Sequence, residues 1–328
     1  MAQIAPQKNY KVFYARYLII SFVLLVFASS GHGAARDAVP LLENWKFLKR
    51  DIAPDQNAEE WRNFQTPPWE LVSIPHTWNA VDGANGLAAN PEQPEGYYRG
   101  PSWYERALPV SAEWKGRRVF VRFEGVSLVA DVLINRIPVG QHRGAFGAFC
   151  FEITPYLKFD GKDAMRVRVD NSRQFDVAPL SGDFTIFGGI YRPVEIFSTG
   201  EVCISPTFFG SPGVFLTLRE MSKQKAEVEV KTLVSSNGAD LQDIALEIEI
   251  KNAEGAVVTK KTERLAKSGL SEHATKVEIP DPRLGGESLI RIFTLRRFAS
   301  GAAAKCWTRL RNPLGFAPWR STRKKAFC

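Results

Sequence analysis

The chain has 328 residues, 45% hydrophobic and 24% charged, which excludes a disordered protein and leaves room for two ordinary domains. Its net charge of +8 would suit a nucleic-acid or membrane partner, but residues 1–36 hold +4 and residues 300–328 hold +7, neither with an acid. That leaves −3 for residues 37–299, so the body carries no basic footprint.

The first element is a leader. Lys8, Lys11 and Arg16 precede an apolar run from Tyr17 to Ala28, and small residues follow at Ser29, Ser30, Gly31, Gly33, Ala34 and Ala35. A run of about 12 residues falls short of the roughly 20 that span a bilayer. The pattern predicts a signal peptide over 1–35, cut between Gly33 and Arg36, and an exported, periplasmic or secreted product. An uncleaved signal anchor is the alternative.

Strands dominate the body. RRVFVRFEGV, from Arg117, sets Val119, Val121 and Phe123 on one face before a turn near Gly125. ADVLINRIPVGQHRG alternates and then breaks at Gly140 and Gly144. FGAFCFEI holds Cys150 as a small buried hydrophobe. AMRVRVDN alternates strictly over Met165, Val167 and Val169. GDFTIFGGIYRPVEIF, Gly182 to Phe197, reads as a polar loop, a tight turn at Gly188-Gly189, and a strand carrying Ile190, Val194, Ile196 and Phe197. Its Tyr191 and Arg192 follow the turn, and an Arg192–Asp183 pair is the plain structural reading.

After Thr199-Gly200 charged alternation takes over. Ala226–Val234, Ile244–Asn252 and Ala256–Glu263 read as strands with one wet face, Asn237-Gly238 and Glu254-Gly255 as hairpin turns, and TKVEIP and SLIRIFTL as two more strands. The cysteines (Cys150, Cys203, Cys306, Cys328) and histidines (His32, His76, His142, His273) fall at no metal-ligand or dense disulfide spacing. No metal and no cofactor are expected, and a Cys150–Cys203 bridge is left open.

Four segments, in order, resemble family 2 glycoside hydrolases, the group of β-galactosidases, β-glucuronidases and β-mannosidases. They are LLENWKF (Leu41 to Phe47), IPHTWNAVDGANG (Ile74 to Gly86), GYYRGPSWYER (Gly96 to Arg106) and the Gly189-Ile190-Tyr191-Arg192-x-Val194 run. The resemblance implies an all-β chain: a jelly-roll β-sandwich, sugar-binding in the family, over 36–200, then an immunoglobulin-like β-sandwich over 201–299. The family's catalytic (β/α)₈ barrel, about 250 residues, is missing from these 328 residues. Residues 300–328 depart from the family pattern and are expected to form a basic tail, disordered or frame-shifted.

The resemblance also assigns roles. Asp183 matches a family aspartate that reaches the active site and binds sugar hydroxyls, which suits a carboxylate because each oxygen accepts more than one hydrogen bond. Tyr97, Tyr98, Trp103 and Tyr104 are candidates to stack on a sugar, although Trp103 and Tyr104 also begin a strand and read as core. Arg99 is expected near the site, Asn79 and Asp82 along the cleft, and His76 and Trp78 in structural positions after Pro75. Family members cleave glycosides with two glutamates on the barrel, the acid/base following an Asn; no Asn-Glu dipeptide occurs here, so no catalytic residue is assigned. The expected partner is a carbohydrate, a β-galactoside or a relative of one, with no nucleic acid and no membrane after signal cleavage. Three readings stand: an inactive part of a β-galactosidase-like hydrolase, an exported carbohydrate-binding protein, and a β-sandwich adhesion or scaffold protein.

Overall fold

A computed structural model describes residues 37–49, 69–80, 98–180, 185–238, 241, 244–252, 255–266, 268–282, 287–297 and 312–315, all within one compact unit. For 287–297 and 312–315 only the backbone is described.

Alternating apolar positions build the first sandwich. Its strands are β1 (Asp37–Pro40), β2 (Trp45–Leu48), β3 (Glu70–Val72), β4 (Pro101–Ala107), β5 (Arg118–Phe123), β6 (Val129–Ile134), β7 (Ile137–Arg143), β8 (Phe149–Glu152), β9 (Ala164–Asp170) and β10 (Val194–Thr199). One sheet runs β1-β10-β5-β8 and the other β3-β2-β4-β9-β6-β7, with antiparallel pairing throughout. This is the two-sheet jelly-roll arrangement. The strict period of β9 decides its register. Met165, Val167 and Val169 are all fully buried and face Val119, Val121, Phe123, Val194 and Ile196 of the opposite sheet in a single core.

The second sandwich is immunoglobulin-like. Its strands are β11 (Val202–Ile204), β12 (Val214–Met221), β13 (Lys225–Ser236), β14 (Ile244–Lys251), β15 (Val257–Arg264), β16 (Leu270–Pro280), β17 (Glu287–Arg297) and β18 (Asn312–Gly315). In one sheet β13 pairs with β11, β12 and β16; the other runs β15-β14-β17-β18. Ala226, Val228 and Val230 of β13 meet Leu246, Ile248 and Ile250 of β14 between the sheets. On the wet face of β13, Glu227 pairs with Lys276, Glu229 with Arg219 and Lys231 with Glu272.

The sandwiches meet on the outer face of β5. Arg118 there is clamped by the Glu152 carboxylate, donating from Nε at 3.0 Å and from Nη2 at 2.7 Å, and it also donates to the carbonyls of Glu201 and Ser235. Arg122 donates to the Gly210 carbonyl at 2.7 Å. Between these arginines Phe120 stacks on Phe197, in a cluster with buried Cys150 and Cys203.

Several expectations change. Gly188-Gly189 is no turn: Gly189 bridges Ser127 in extended pairing, and the strand starts later, at Val194. The strand read from TKVEIP begins upstream at Leu270. Strands β11 and β12 were not expected at all. Apart from these changes, Asn312–Gly315, within residues 300–328, forms a strand beside β17, with Ser288 opposite Leu314.

Candidate functional site

Three segments converge at one end of the first sandwich: 74–80, 98–100 and 185–192. The central segment is held from both sides. Ser127 N donates to the Gly189 carbonyl at 3.1 Å on one side; His76 N donates to Ile190 O at 2.8 Å and Trp78 N to Gly188 O at 3.2 Å on the other. Both glycines are required by closeness. A Cβ on Gly188 would lie 2.1 Å from the Trp78 ring; one on Gly189 (φ +133°) would lie 2.3 Å from the His76 carbonyl oxygen.

Two buried amides tie the segments together. Asn79, 0% exposed, donates to Ile186 O at 3.0 Å and Tyr98 O at 3.4 Å, and accepts from Gly188 N at 2.9 Å. Asn171, also 0% exposed, donates to the same Ile186 carbonyl at 3.0 Å and accepts from Gly100 N at 2.9 Å. Asn79 was expected along the cleft; the structure instead spends its amide on backbone. Asn171 escaped the sequence reading. Its only signal is its place at the end of the strictly alternating β9, where a polar side chain stops the strand.

Arg99 has the packing reason that its loop position concealed: Nε donates to Asn171 O at 3.1 Å. Tyr98 is half-buried. Its hydroxyl donates to Pro101 O at 2.8 Å, its ring lies edge-on to Trp78, and the Lys49 ammonium sits 4.7 Å from the ring centroid. Trp103 and Tyr104 are both 0% exposed, so they are core and no sugar reaches them. His76 packs against Phe47 and pairs Nδ1 with the Tyr104 hydroxyl at 2.7 Å. Burial lowers the His76 pKa, against a smaller opposing effect of Glu70, and burial strongly raises that of Tyr104. The pair is therefore two neutral groups sharing a hydrogen bond. Trp78 stacks on Phe47 with 5.9 Å between centroids.

Tyr191 donates its hydroxyl to Ala145 O, and burial raises its pKa, with Arg192 opposing. Arg192 is exposed and pairs with no carboxylate among the described residues. Asp183, Asp82 and Tyr97 lie outside the described residues. Beside Tyr191 a cavity of about 430 Å³ opens, lined by residues that include Ser127, Phe146, Thr185, Ile186 and Phe187.

Residues 41–200 match the family model described as glycosyl hydrolases family 2, sugar binding domain. Over this N-terminal part the chain is similar to family 2 of the glycosyl hydrolases. The chain is 42% identical over 218 residues to a β-glucuronidase of Bacteroides fragilis, covering 66% of this chain and 28% of that protein. It is 29% identical over 225 residues to a β-galactosidase of Thermoanaerobacter pseudethanolicus, covering 68% of this chain and 28% of the relative. Among solved structures, Bacteroides uniformis β-glucuronidase 2, covalently bound to cyclophellitol-6-carboxylate aziridine, superposes with a TM-score of 0.70 at 30% identity, over 83% of this chain and 31% of that one. The chain spans about a third or less of the length of the curated relatives it matches.

Proposed function

We propose that residues 36–299 are the non-catalytic N-terminal sandwiches of a family 2 glycoside hydrolase acting on a β-glucuronide or β-galactoside, and that they supply loops to its sugar site. The carrying observation is the double amide grip on the Ile186 carbonyl, three residues after Asp183 in the sequence. A loop anchored this tightly can hold a carboxylate in place for sugar hydroxyls. The names of the relatives support both sugar classes, and the 42% identical β-glucuronidase favours the glucuronide. On this reading residues 1–328 hold no catalytic carboxylate pair, and the chain by itself does not turn over aryl β-glycosides.

Calorimetric titration of glucuronate and galactose into the chain tests the reading. With one carboxylate and few other groups around the sugar, the expected Kd is on the order of millimolar or weaker, about −4 kcal/mol. Asp183→Ala removes what binding there is. Micromolar binding abolished by Asp183→Ala would overturn this reading in favour of an exported carbohydrate-binding protein that works alone.

A further inference from the structure

The junction of the two sandwiches holds sulfur that plays no part in a sugar site. Cys150 lies on β8 of the first sandwich and Cys203 on β11 of the second. Both are thiols, 5% and 0% exposed, and with Phe120 and Phe197 they form a single buried cluster. Two cysteines from different sandwiches thus meet in one apolar contact.

Arg118 fixes where they stand. Its guanidinium donates from Nη2 at 2.7 Å to the carboxylate of Glu152 and from Nη1 at 3.6 Å to the sulfur of Cys203. Glu152 follows Cys150 by two positions on β8, so the two side chains share one face of the sheet. On β5, Glu152 stands opposite Phe120 and Cys150 opposite Arg122. One cation therefore links the Cys203 sulfur to the row that carries Cys150. A guanidinium beside sulfur also favours the thiolate, the species that attacks a disulfide.

We propose that Cys150 and Cys203 join in a disulfide when the protein meets a small-molecule disulfide oxidant, and that the bond locks the two sandwiches together. The Cys203 thiolate attacks one sulfur of oxidised glutathione and releases one glutathione thiolate, which takes up a proton. The Cys150 thiolate then attacks the Cys203 sulfur of the mixed disulfide and releases the second glutathione. Two protein thiols are oxidised, one glutathione disulfide is reduced to two thiols, and one S–S bond replaces another. Both sulfurs are buried in the closed junction, so the exchange runs in an opened state and closure then shields the bond.

The test uses the whole chain, incubated with oxidised or with reduced glutathione. The remaining thiols are alkylated under denaturing conditions, and tryptic peptides are weighed before and after reduction. After oxidation a peptide pair joining Cys150 to Cys203 is expected, and it separates on reduction. The oxidised chain is expected to melt about 5 °C or more above the reduced one. Cys150→Ala and Cys203→Ala should each abolish that rise; the peptide map needs neither variant to fold. Alkylation of both cysteines after oxidation, a glutathione adduct left on either, or a bond from either to Cys306 or Cys328 overturns the proposal. A joined pair that leaves the melting transition unmoved overturns the lock.

Discussion

Gly189 occupies a place where a side chain has nowhere to go. Its φ of +133° is outside the range of ordinary residues, and an added Cβ would lie 2.3 Å from a backbone oxygen that cannot rotate away. Gly189→Ala is therefore expected to cost about 3 kcal/mol, read as a lower urea midpoint of the first sandwich. His76 and His142 make a second prediction at this scale. Burial lowers the pKa of each, the Gly144 backbone opposing it at His142. The unfolded chain takes up these protons below about pH 6.5, while the native imidazoles resist until the pH is lower. The unfolded state then binds more protons, so stability is full above about 6.5 and falls as the solution is acidified through that window. Urea midpoints between pH 7.5 and 5 check this; a rise on acidification would contradict it. The Gly-Ile-Tyr-Arg segment was legible as important, but its physical reason was not. Sequence shows that two glycines are adjacent, whereas the Trp78 ring and His76 carbonyl that demand them are more than a hundred residues away.

Elements differ in how openly they announce themselves. Strand β9 was legible because its inner positions are Met165, Val167 and Val169. Strand β16 alternates just as strictly in burial, yet only its second half was expected. Its inner positions from Ser271 and His273 to Thr275, the first residue of the expected half, look like surface. They are buried because they satisfy one another and β15: Ser271 Oγ meets His273 Nε2 at 3.1 Å, His273 Nδ1 meets Glu263, and Thr275 donates to Glu263. Hydrogen bonding across a core hides the period that an apolar count would find. Strand β12 was missed for the opposite reason, since most of it is exposed and little burial pattern exists to read. At the junction of the sandwiches, Arg118 joins β5 to β8 and to two carbonyls beyond residue 200. Arg118→Ala strands the Glu152 carboxylate and both carbonyls, and is expected to cost on the order of 3 kcal/mol. Two calorimetric transitions in place of one would show that the arginine also couples the sandwiches; an unchanged melting curve would refute its importance.

For the molecule as a whole, the all-β architecture and the order of its two sandwiches could be read from strand periods and turn residues, helped by the family resemblance. The candidate site could not. Tyr98, Arg99 and Asn79 looked like ligand contacts because polar and aromatic loop residues usually are. Here they join loop to loop, and Asn79 is fully buried with its amide bonded to three backbone groups. The leader expected over residues 1–35 can be tested: in an exporting host, N-terminal sequencing of the product should begin after Gly33, Ala34 or Ala35. An intact Met1 in the membrane fraction would identify an anchor instead. The short β18 has a further consequence. It occupies the hydrogen-bonding rim of β17, opposite Glu287 to Ile290. A polypeptide cut at residue 299 would uncover that rim as a row of unsatisfied amides and carbonyls, a template on which a second molecule can add its own strand. Trimming this protein at its apparent domain boundary would thus invite self-association, and four residues of seemingly dispensable sequence act as its selvedge.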